Sequence, residues 1–450
     1  MNQPSPLCKA ARTIFDEALA ACSVESAMRS KIKSHEGILT LKGSPGEASI
    51  EIDLAGVLRV VVIAAGKAAT AMLRSLLQII PLPEDCAMSG VLIAPELPVD
   101  LPTGFTFFAG GHPLPSPGSF AGARAALTLV REAAAHATEE PAFCFFLLSG
   151  GASAMMELPL DPAITLDNTV AFHRALVHSG APIAEMNCVR KHFSAVKGGR
   201  LGAAAATMLS ITLAVSDVPA GHLDVLASGP TLPDPTTVAE CREILSRYGL
   251  LEQFPAGVRD FFTADFEETP KPGAFPARAV TLLSDRDLAE AARRAAEALG
   301  FFAIVEDECD NWGYSRAADF LLARLERLRT QHDRICLISP GELTVQVPSN
   351  ASVGIGGRNQ HFALYAATLL QAESHPTAIL SAGSDGIDGN SRFAGAVVYE
   401  RTLHAPGQRE AALDSLWRFD AATFLSGLGA TIETGPTGHN LRDLRLLLSE

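Results

Sequence analysis

Two α/β domains, each an open, mostly parallel or mixed sheet with helices on both faces and a cleft between them, are what this sequence predicts, on three observations. Short runs rich in Val, Ile, Leu and Phe recur from residue 59 onward, each followed by a helix-like segment, which is the signature of a sheet covered on both faces. The chain has 450 residues, beyond the size at which a single core keeps growing. The pattern lapses over residues 252–278, where Pro255, Pro270, Pro272 and Pro276 fall, and then restarts. That stretch is read as a linker between an N-terminal domain, 1–251, and a C-terminal domain, 279–450.

The first strand is expected over Arg59 to Ala65, followed after Gly66-Lys67 by a helix whose Met72, Leu73, Leu76, Leu77 and Ile80 share a face. Gly90 to Ala94, Phe105 to Ala109, Phe143 to Leu148 and Ile211 to Val215 read as further strands, with a long amphipathic segment over Phe120 to Ala135. In the second half, strands are expected over Ala279 to Leu283, Phe302 to Val305, Ile335 to Ser339, Leu343 to Val347, Ala378 to Ala382 and Ala430 to Glu433. Helices are expected over Asp287 to Leu299, Ser315 to Leu328 and Asn359 to Leu370. No repeat of fixed period runs through the chain.

Composition excludes several classes of function. A net charge of −14 is spread along the sequence without a basic stripe, which argues against a nucleic-acid partner. Eight cysteines stand singly and none is paired as C-x-x-C, so neither a zinc motif nor a disulfide framework is indicated, and a reducing, cytoplasmic location is expected. Arg12, Asp16 and Glu17 break the N-terminal pattern that an export signal needs. The most lipid-like stretch, Leu201 to Val215, carries Thr207, Ser210 and Thr212 and is shorter than the ~20 residues of a spanning helix. No membrane partner is expected, and homo-oligomerisation is left open.

In open α/β sheets, ligands bind outside the carboxyl ends of the strands. The residues there are Gly66-Lys67, Ser149-Gly150-Gly151-Ala152-Ser153, Ser216-Asp217 and Gly383-Ser384-Asp385-Gly386-Ile387-Asp388-Gly389. Glycines at such a turn let the backbone approach a phosphate. A single loop of this kind is more often an ordinary turn. Two more, Lys197-Gly198-Gly199-Arg200 and Gly354-Ile355-Gly356-Gly357-Arg358-Asn359, carry adjacent cations and shift the balance towards anion binding.

Lys67 stands where a compact ammonium reaches a transferring phosphoryl group, at a helix start that structural considerations alone would fill with an acid. Arg190, Lys191, His192, Lys197 and Arg200 form a basic cluster in an acidic chain, with Arg200 the stronger anion contact. Arg190, Lys191 and Asn359 are the candidate substrate contacts. Asp217, Asp385 and Asp388 are oxygen donors that suit Mg²⁺ held together with ATP phosphates, although one of them could instead orient or deprotonate an attacking hydroxyl. His112, His222, His361 and His439 have no metal-pair spacing and are read as hydrogen-bonded loop residues.

Taken in order, Ala65-Gly-Lys67-Ala-Ala, Gly111-His-Pro-Leu-Pro115, Leu148-Ser-Gly-Gly-Ala-Ser153, Val189-Arg-Lys-His-Phe-Ser194, Lys197-Gly-Gly-Arg-Leu201, Ala227-Ser-Gly-Pro-Thr231, Gly356-Gly-Arg-Asn-Gln360, Ser384-Asp-Gly-Ile-Asp-Gly389 and Gly435-Pro-Thr-Gly438 resemble the glycerate 2-kinase family of the MOFRL type over nearly the whole chain. The resemblance implies a Rossmann-like N-terminal domain, a MOFRL-type C-terminal domain, and ATP- and Mg²⁺-dependent phosphorylation of D-glycerate at its 2-hydroxyl. It makes Lys67 and Arg358 the catalytic cations; Asp217, from its place after a strand, is taken as catalytic beside them. The glycine loops and their cations are the expected nucleotide contacts: Gly66, Ser149, Gly150, Gly151, Ser153, Lys197, Gly198, Gly199 and Arg200. Arg200 or Arg358 could instead clamp the acid's carboxylate.

The sequence departs from the family pattern where an acid is expected at Ser116 and Arg392 and a glutamate at His361. It departs again where His222 stands in a stretch usually carrying aspartates, and where His439 replaces a threonine. These changes leave open a kinase for another hydroxy or sugar acid, and a binding protein that has lost catalysis. Members of the family also carry the name hydroxypyruvate reductase, but Gly354-Ile-Gly356-Gly-Arg-Asn359 lacks the third glycine of a dinucleotide fingerprint. A Walker A loop is missing as well, so the phosphate cradle would be of another type.

Overall fold

The computed structural model describes residues 5–80, 86–219, 221–348, 352–371, 375–438 and 440–450; Ala220 and His439 lie outside them. The chain divides into two units, one of Ala27–Leu282 and one of Met1–Ser26 with Leu283–Glu450. Among the described residues no helix is long and apolar enough to cross a membrane.

In the first unit, β1 (Ile32–His35), β2 (Ile38–Leu41) and β3 (Ile50–Asp53) form a small antiparallel sheet that the sequence did not announce. The main sheet holds β4 (Arg59–Ala65), β5 (Ala87–Ala94), β6 (Phe105–Ala109), β7 (Ala142–Ser149), β8 (Leu209–Val215) and β9 (Ala279–Leu283), in the order β6-β5-β4-β7-β8-β9. The pairs from β6 through β8 are all parallel. All eight residues of β7 are buried, as a strand covered on both faces requires. The following helices leave the carboxyl ends of β4, β7 and β8 side by side.

Two expectations about the boundary are corrected here. β9 completes the first sheet rather than opening the second domain. The expected linker contains the helix Ala256–Thr263, and its Phe254, Val258 and Phe262 are buried in one cluster with Phe172 and Phe193. The prolines punctuate that segment, but its aromatic side chains have enough apolar area to bind it to the unit.

In the second unit, β10 (Phe302–Val305), β11 (Ile335–Pro340), β12 (Thr377–Gly383), β13 (Gly395–Tyr399), β14 (Thr431–Ile432) and β15 (Asp443–Ser449) form a sheet in the order β10-β11-β15-β12-β13-β14. Only β10 and β11 pair in parallel, the other pairs being antiparallel. The helix Pro6–Ala21 belongs to this unit and buries Leu7, Ala11, Ile14, Phe15 and Ala18, spaced to share one face. The expected strand over Leu343 to Val347 is not formed; Thr344 alone makes a bridge, to Gly313.

Candidate active site

Three adjacent strand ends of the first unit converge. After β4, Gly66 turns at φ +118°, and a Cβ there would lie 2.4 Å from Ser149 Oγ and 2.6 Å from its carbonyl oxygen, so only glycine lets the two turns touch. The Lys67 amide donates to Gly150 O at 3.0 Å, and the Ala68 amide donates to Ser149 Oγ at 3.0 Å. Lys67 itself is exposed. A Cβ on Gly151 would stand 3.3 Å from Lys67 Cγ and 3.2 Å from His112 Cδ2, and one on Gly150 would stand 2.4 Å from Asp217 Oδ2. A cation, a pair of glycine backbones and a carboxylate therefore share one place. Partial burial and the neighbouring Lys67 ammonium lower the His112 pKa, which leaves Lys67 as the charge of this corner at neutral pH.

Several expected contacts have other duties. Ser149 is buried, and its hydroxyl pins the Lys67 turn instead of facing a ligand. Ser153 Oγ lies 2.8 Å from Ser228 Oγ, which donates to Asn187 Oδ1 at 3.1 Å; Arg190 Nη1 reaches the same oxygen at 3.2 Å. Asn187 carries no spacing signal in the sequence, and Ser228, though within Ala227-Ser-Gly-Pro-Thr231, is given no role there.

Lys197 is corrected from a nucleotide contact to a structural ion. It is fully buried, and its ammonium is bonded to Glu157, which is also bonded to His173 Nε2 at 2.8 Å and accepts the Leu158 amide at 3.0 Å. Burial pushes the Glu157 carboxyl up, but Lys197 and His173 override it and hold it at about 2. The amides of Gly198 and Gly199 donate to the carbonyls of Ser228 and Gly229 at 3.1 and 2.7 Å, so that loop is built to pack, not to cradle phosphate. Lys191 is buried too, its Nζ 3.1 Å from Asp234 Oδ1 and 3.5 Å from Asp224 Oδ2. Arg200 donates to Glu267 O at 3.0 Å.

The second unit has its own cluster. Arg358 opens the helix Arg358–Leu369 and grips Asp443 through Nε and Nη2, with Glu342 Oε1 2.8 Å from Nη2; its Nη1 edge takes no part in these bonds. A Cβ on Gly383 would lie 3.3 Å from Asp385 Oδ1 and 3.4 Å from Asp443 Oδ1, so Asp385 stands in the same group. Arg358 also borders a cavity of about 380 Å³ lined with Leu343, Val345, His361 and Phe419, within the usual range for a ligand pocket. Asn359, expected at the substrate, is buried and accepts from Ser381 Oγ at 2.7 Å.

Three of the departures from the family pattern have identifiable surroundings. Ser116 caps the helix Pro117–His136 in a reciprocal box with Ser119, a position that serine and aspartate serve equally. Arg392 lies 4.9 Å from the Phe393 ring. His361 is buried between Tyr314 and Phe419, and burial lowers its pKa to about 4.

Mg²⁺ takes oxygen donors and tolerates strict geometry only. Asp217 in the first unit and Asp385 in the second are each half-buried at a strand end, and each has carboxylate oxygens of the kind such an ion takes. Asp388 is otherwise engaged. Its two oxygens accept the amides of Asn359 and Gln360 at 3.1 and 2.8 Å, and burial pushes its carboxyl up to about 7 against those bonds. It holds the start of the Arg358 helix.

The fold and these clusters define a two-unit α/β protein whose strand-end loops are equipped to bind an anionic ligand. Residues 10–263 match a domain of unknown function (DUF4147), and residues 335–443 match the MOFRL family. The chain is 33% identical over 398 residues to a D-glycerate 2-kinase of Thermotoga maritima, covering 86% of this chain and 89% of that protein. It is 34% identical over 399 residues to an Agrobacterium vitis protein provisionally named a hydroxypyruvate reductase, covering 87% of each. The crystal structure of a glycerate kinase from Thermotoga maritima superposes with a TM-score of 0.78 at 29% identity, covering 99% of this chain and 100% of that one. The chain belongs to the glycerate kinase family with DUF4147 and MOFRL domains.

Proposed function

We propose that this protein is an ATP-dependent kinase that phosphorylates D-glycerate to 2-phosphoglycerate. One observation carries the reading: Lys67, the Gly150-Gly151 backbone and Asp217 meet at the carboxyl ends of three adjacent strands, β4, β7 and β8. Phosphoryl transfer asks a protein for positioning and charge neutralisation more than for covalent chemistry. Lys67 neutralises charge on the transferring phosphoryl oxygens. Gly66, Gly150 and Gly151 keep side chains out of the way, so that the phosphates lie against the backbone.

Asp217 and Asp385 each offer carboxylate oxygens of the kind that would hold Mg²⁺, which when bound would offset negative charge on the nucleotide phosphates. Asp443 and Glu342 fix the guanidinium plane of Arg358, whose Nη1 edge then binds the acid's carboxylate or the phosphoryl oxygens. Fixing the plane in advance lowers the entropy lost when the anion arrives.

A second reading, a kinase for a different hydroxy or sugar acid, is favoured by His361, a neutral ring in the cavity wall where the family pattern has a glutamate. The test is ADP release with a panel of hydroxy acids, run beside NADH and NADPH oxidation with hydroxypyruvate. Glycerate-dependent ADP release supports the first reading. ADP release with another acid alone supports the second, and nicotinamide turnover without ADP overturns both.

A further inference from the structure

Away from the strand ends, the helices Ile183–Phe193 and Val238–Arg247 bring together three side chains that the proposed transfer does not use. Cys188 and His192 lie one turn apart on the first helix and Cys241 lies on the second. All three are buried, and their sulfur and ring nitrogen atoms lie within 4.8 Å of one another. His192 Nδ1 is 2.8 Å from the Cys188 carbonyl oxygen and 4.0 Å from its Sγ, while Nε2 is 2.9 Å from Glu268 Oε1. A ring with an acceptor at each nitrogen is an imidazolium with two N–H donors.

The state of the two sulfurs follows. The Cys241 thiol, donating to Cys188, and then His192 and Thr236 lower the Cys188 pKa against the effect of burial. Cys241, whose proton is engaged in that bond and which is itself buried, is raised. Cys188, on the same helix face as the His192 ring, thus sits against Cys241 with the lower pKa of the two, the arrangement of an attacking and a resolving cysteine.

We propose that Cys188 and Cys241 are a redox-active dithiol which a small peroxide closes to a disulfide. The Cys188 thiolate attacks one oxygen of hydrogen peroxide; an S–O bond forms, the O–O bond breaks, and hydroxide leaves as water after taking the proton of the His192 imidazolium. The sulfur of Cys241 then attacks Cys188; the S–S bond forms, the S–O bond breaks, and hydroxide leaves with the Cys241 proton as a second water. Two sulfurs give up two electrons in all, and both peroxide oxygens are reduced. The new bond ties the helix carrying Asn187 to its neighbour, and Asn187 is hydrogen-bonded through Ser228 to Ser153 in the glycine loop after β7. Oxidation therefore also lowers turnover; this consequence rests on the proposed kinase activity, whereas the disulfide does not.

The test uses the full chain, reduced and then exposed to hydrogen peroxide, with acid quench, thiol alkylation and peptide mass mapping. The expected result is a Cys188–Cys241 linkage, loss of two of the eight thiols, and a drop in ADP release of about tenfold that dithiothreitol reverses. Cys188→Ser and Cys241→Ser should each abolish both the linkage and the sensitivity. Oxidation confined to other cysteines, such as the partly exposed Cys86, overturns the proposal. So does finding both thiols masked by a co-purifying zinc ion and released by a chelator. Linkage with unchanged turnover overturns the regulatory consequence alone. Linkage in a protein without kinase activity refutes the kinase reading and leaves the dithiol standing.

Discussion

Oδ2 of Asp217 stands over the backbone of Gly150, 2.4 Å from the point that a Cβ would occupy. The φ of Gly150 is not in the left-handed region, so alanine is compatible with the backbone and the carboxylate must give way. Gly150→Ala should therefore fold normally and displace Asp217. Misplacement of a catalytic group by about 1 Å costs on the order of 100-fold in rate. ADP release that drops by about that factor at an unchanged melting temperature is the expected result; full activity would mean that Asp217 is not held there for the reaction.

Two of the candidate metal carboxylates should behave differently. Asp217→Asn removes an oxygen donor of the converging strand ends and should lower kcat and raise the Mg²⁺ concentration needed for half-maximal rate. Asp388→Asn replaces one of the two oxygens that accept the Asn359 and Gln360 amides; it should cost about 1 kcal/mol of stability, as loss of a helix cap does, with the Mg²⁺ dependence unchanged. Mg²⁺ titrations of both variants, with denaturant unfolding of the second, decide it. A Mg²⁺ shift in Asp388→Asn alone would reverse the assignment.

The strands at the heart of each sheet could be read from the sequence because burial on both faces demands an unbroken apolar run, as in Phe143 to Leu148. β15 escaped that test. Its Asp443 and Arg445 look like surface residues, yet both are buried, Asp443 bonded to Arg358 and Arg445 to the carbonyls of Pro340 and Gly341. Leu343 to Val347 fails in the opposite direction, its strand-like residues lining a cavity. The strand-end rule located Lys67, Gly150 and Asp217 because topology alone puts them together. It could not separate Lys67 from Lys191 and Lys197, since whether a lysine meets a ligand or a buried acid depends on Asp234 and Glu157, about forty residues away and unmarked by any motif.

Lys67→Ala tests the cation directly. The turn is held by backbone groups and by Ser149 Oγ, and the side chain is exposed, so the fold should be unaffected. Loss of one preorganised charge-stabilising donor costs on the order of 100- to 1,000-fold in kcat. Circular dichroism and unfolding curves that match wild type, together with that loss of ADP release, are expected. A rate within a factor of two would make Lys67 an ordinary surface lysine.

Lys197→Met should act through stability. It strands the Glu157 carboxylate in the interior with the His173 ring and the Leu158 amide as its partners, and breaking a buried ion pair from one side costs about 3–5 kcal/mol. Adding Glu157→Gln should recover much of that loss, because the stranded charge is gone. The measurement is the denaturant midpoint of the single and double variants, with the KM for ATP taken at low temperature where both remain folded. An unchanged midpoint with a raised KM would restore Lys197 to the nucleotide site.

His361 makes stability pH-dependent in a direction that can be worked out. Burial keeps its folded pKa at about 4, below the ordinary 6.5, so between those values the unfolded chain binds a proton that the native protein does not. Stability from this residue is complete above about pH 6.5 and is lost as pH falls towards 4, by roughly 3 kcal/mol in all. Asp388, raised by burial to about 7, works in the opposite sense: its neutral form is favoured in the fold, and its contribution declines as pH rises from about 4 to about 7. Wild-type unfolding curves contain both slopes, so the informative quantity is the difference from His361→Phe, which fills the same space between Tyr314 and Phe419 without titrating. Subtracting the variant's stability from wild type at each pH should give a difference that falls steadily on acidification from pH 6.5. A flat difference across that interval would mean that the imidazole accepts a proton in place, and that the cavity wall it forms is more polar than its neighbours imply.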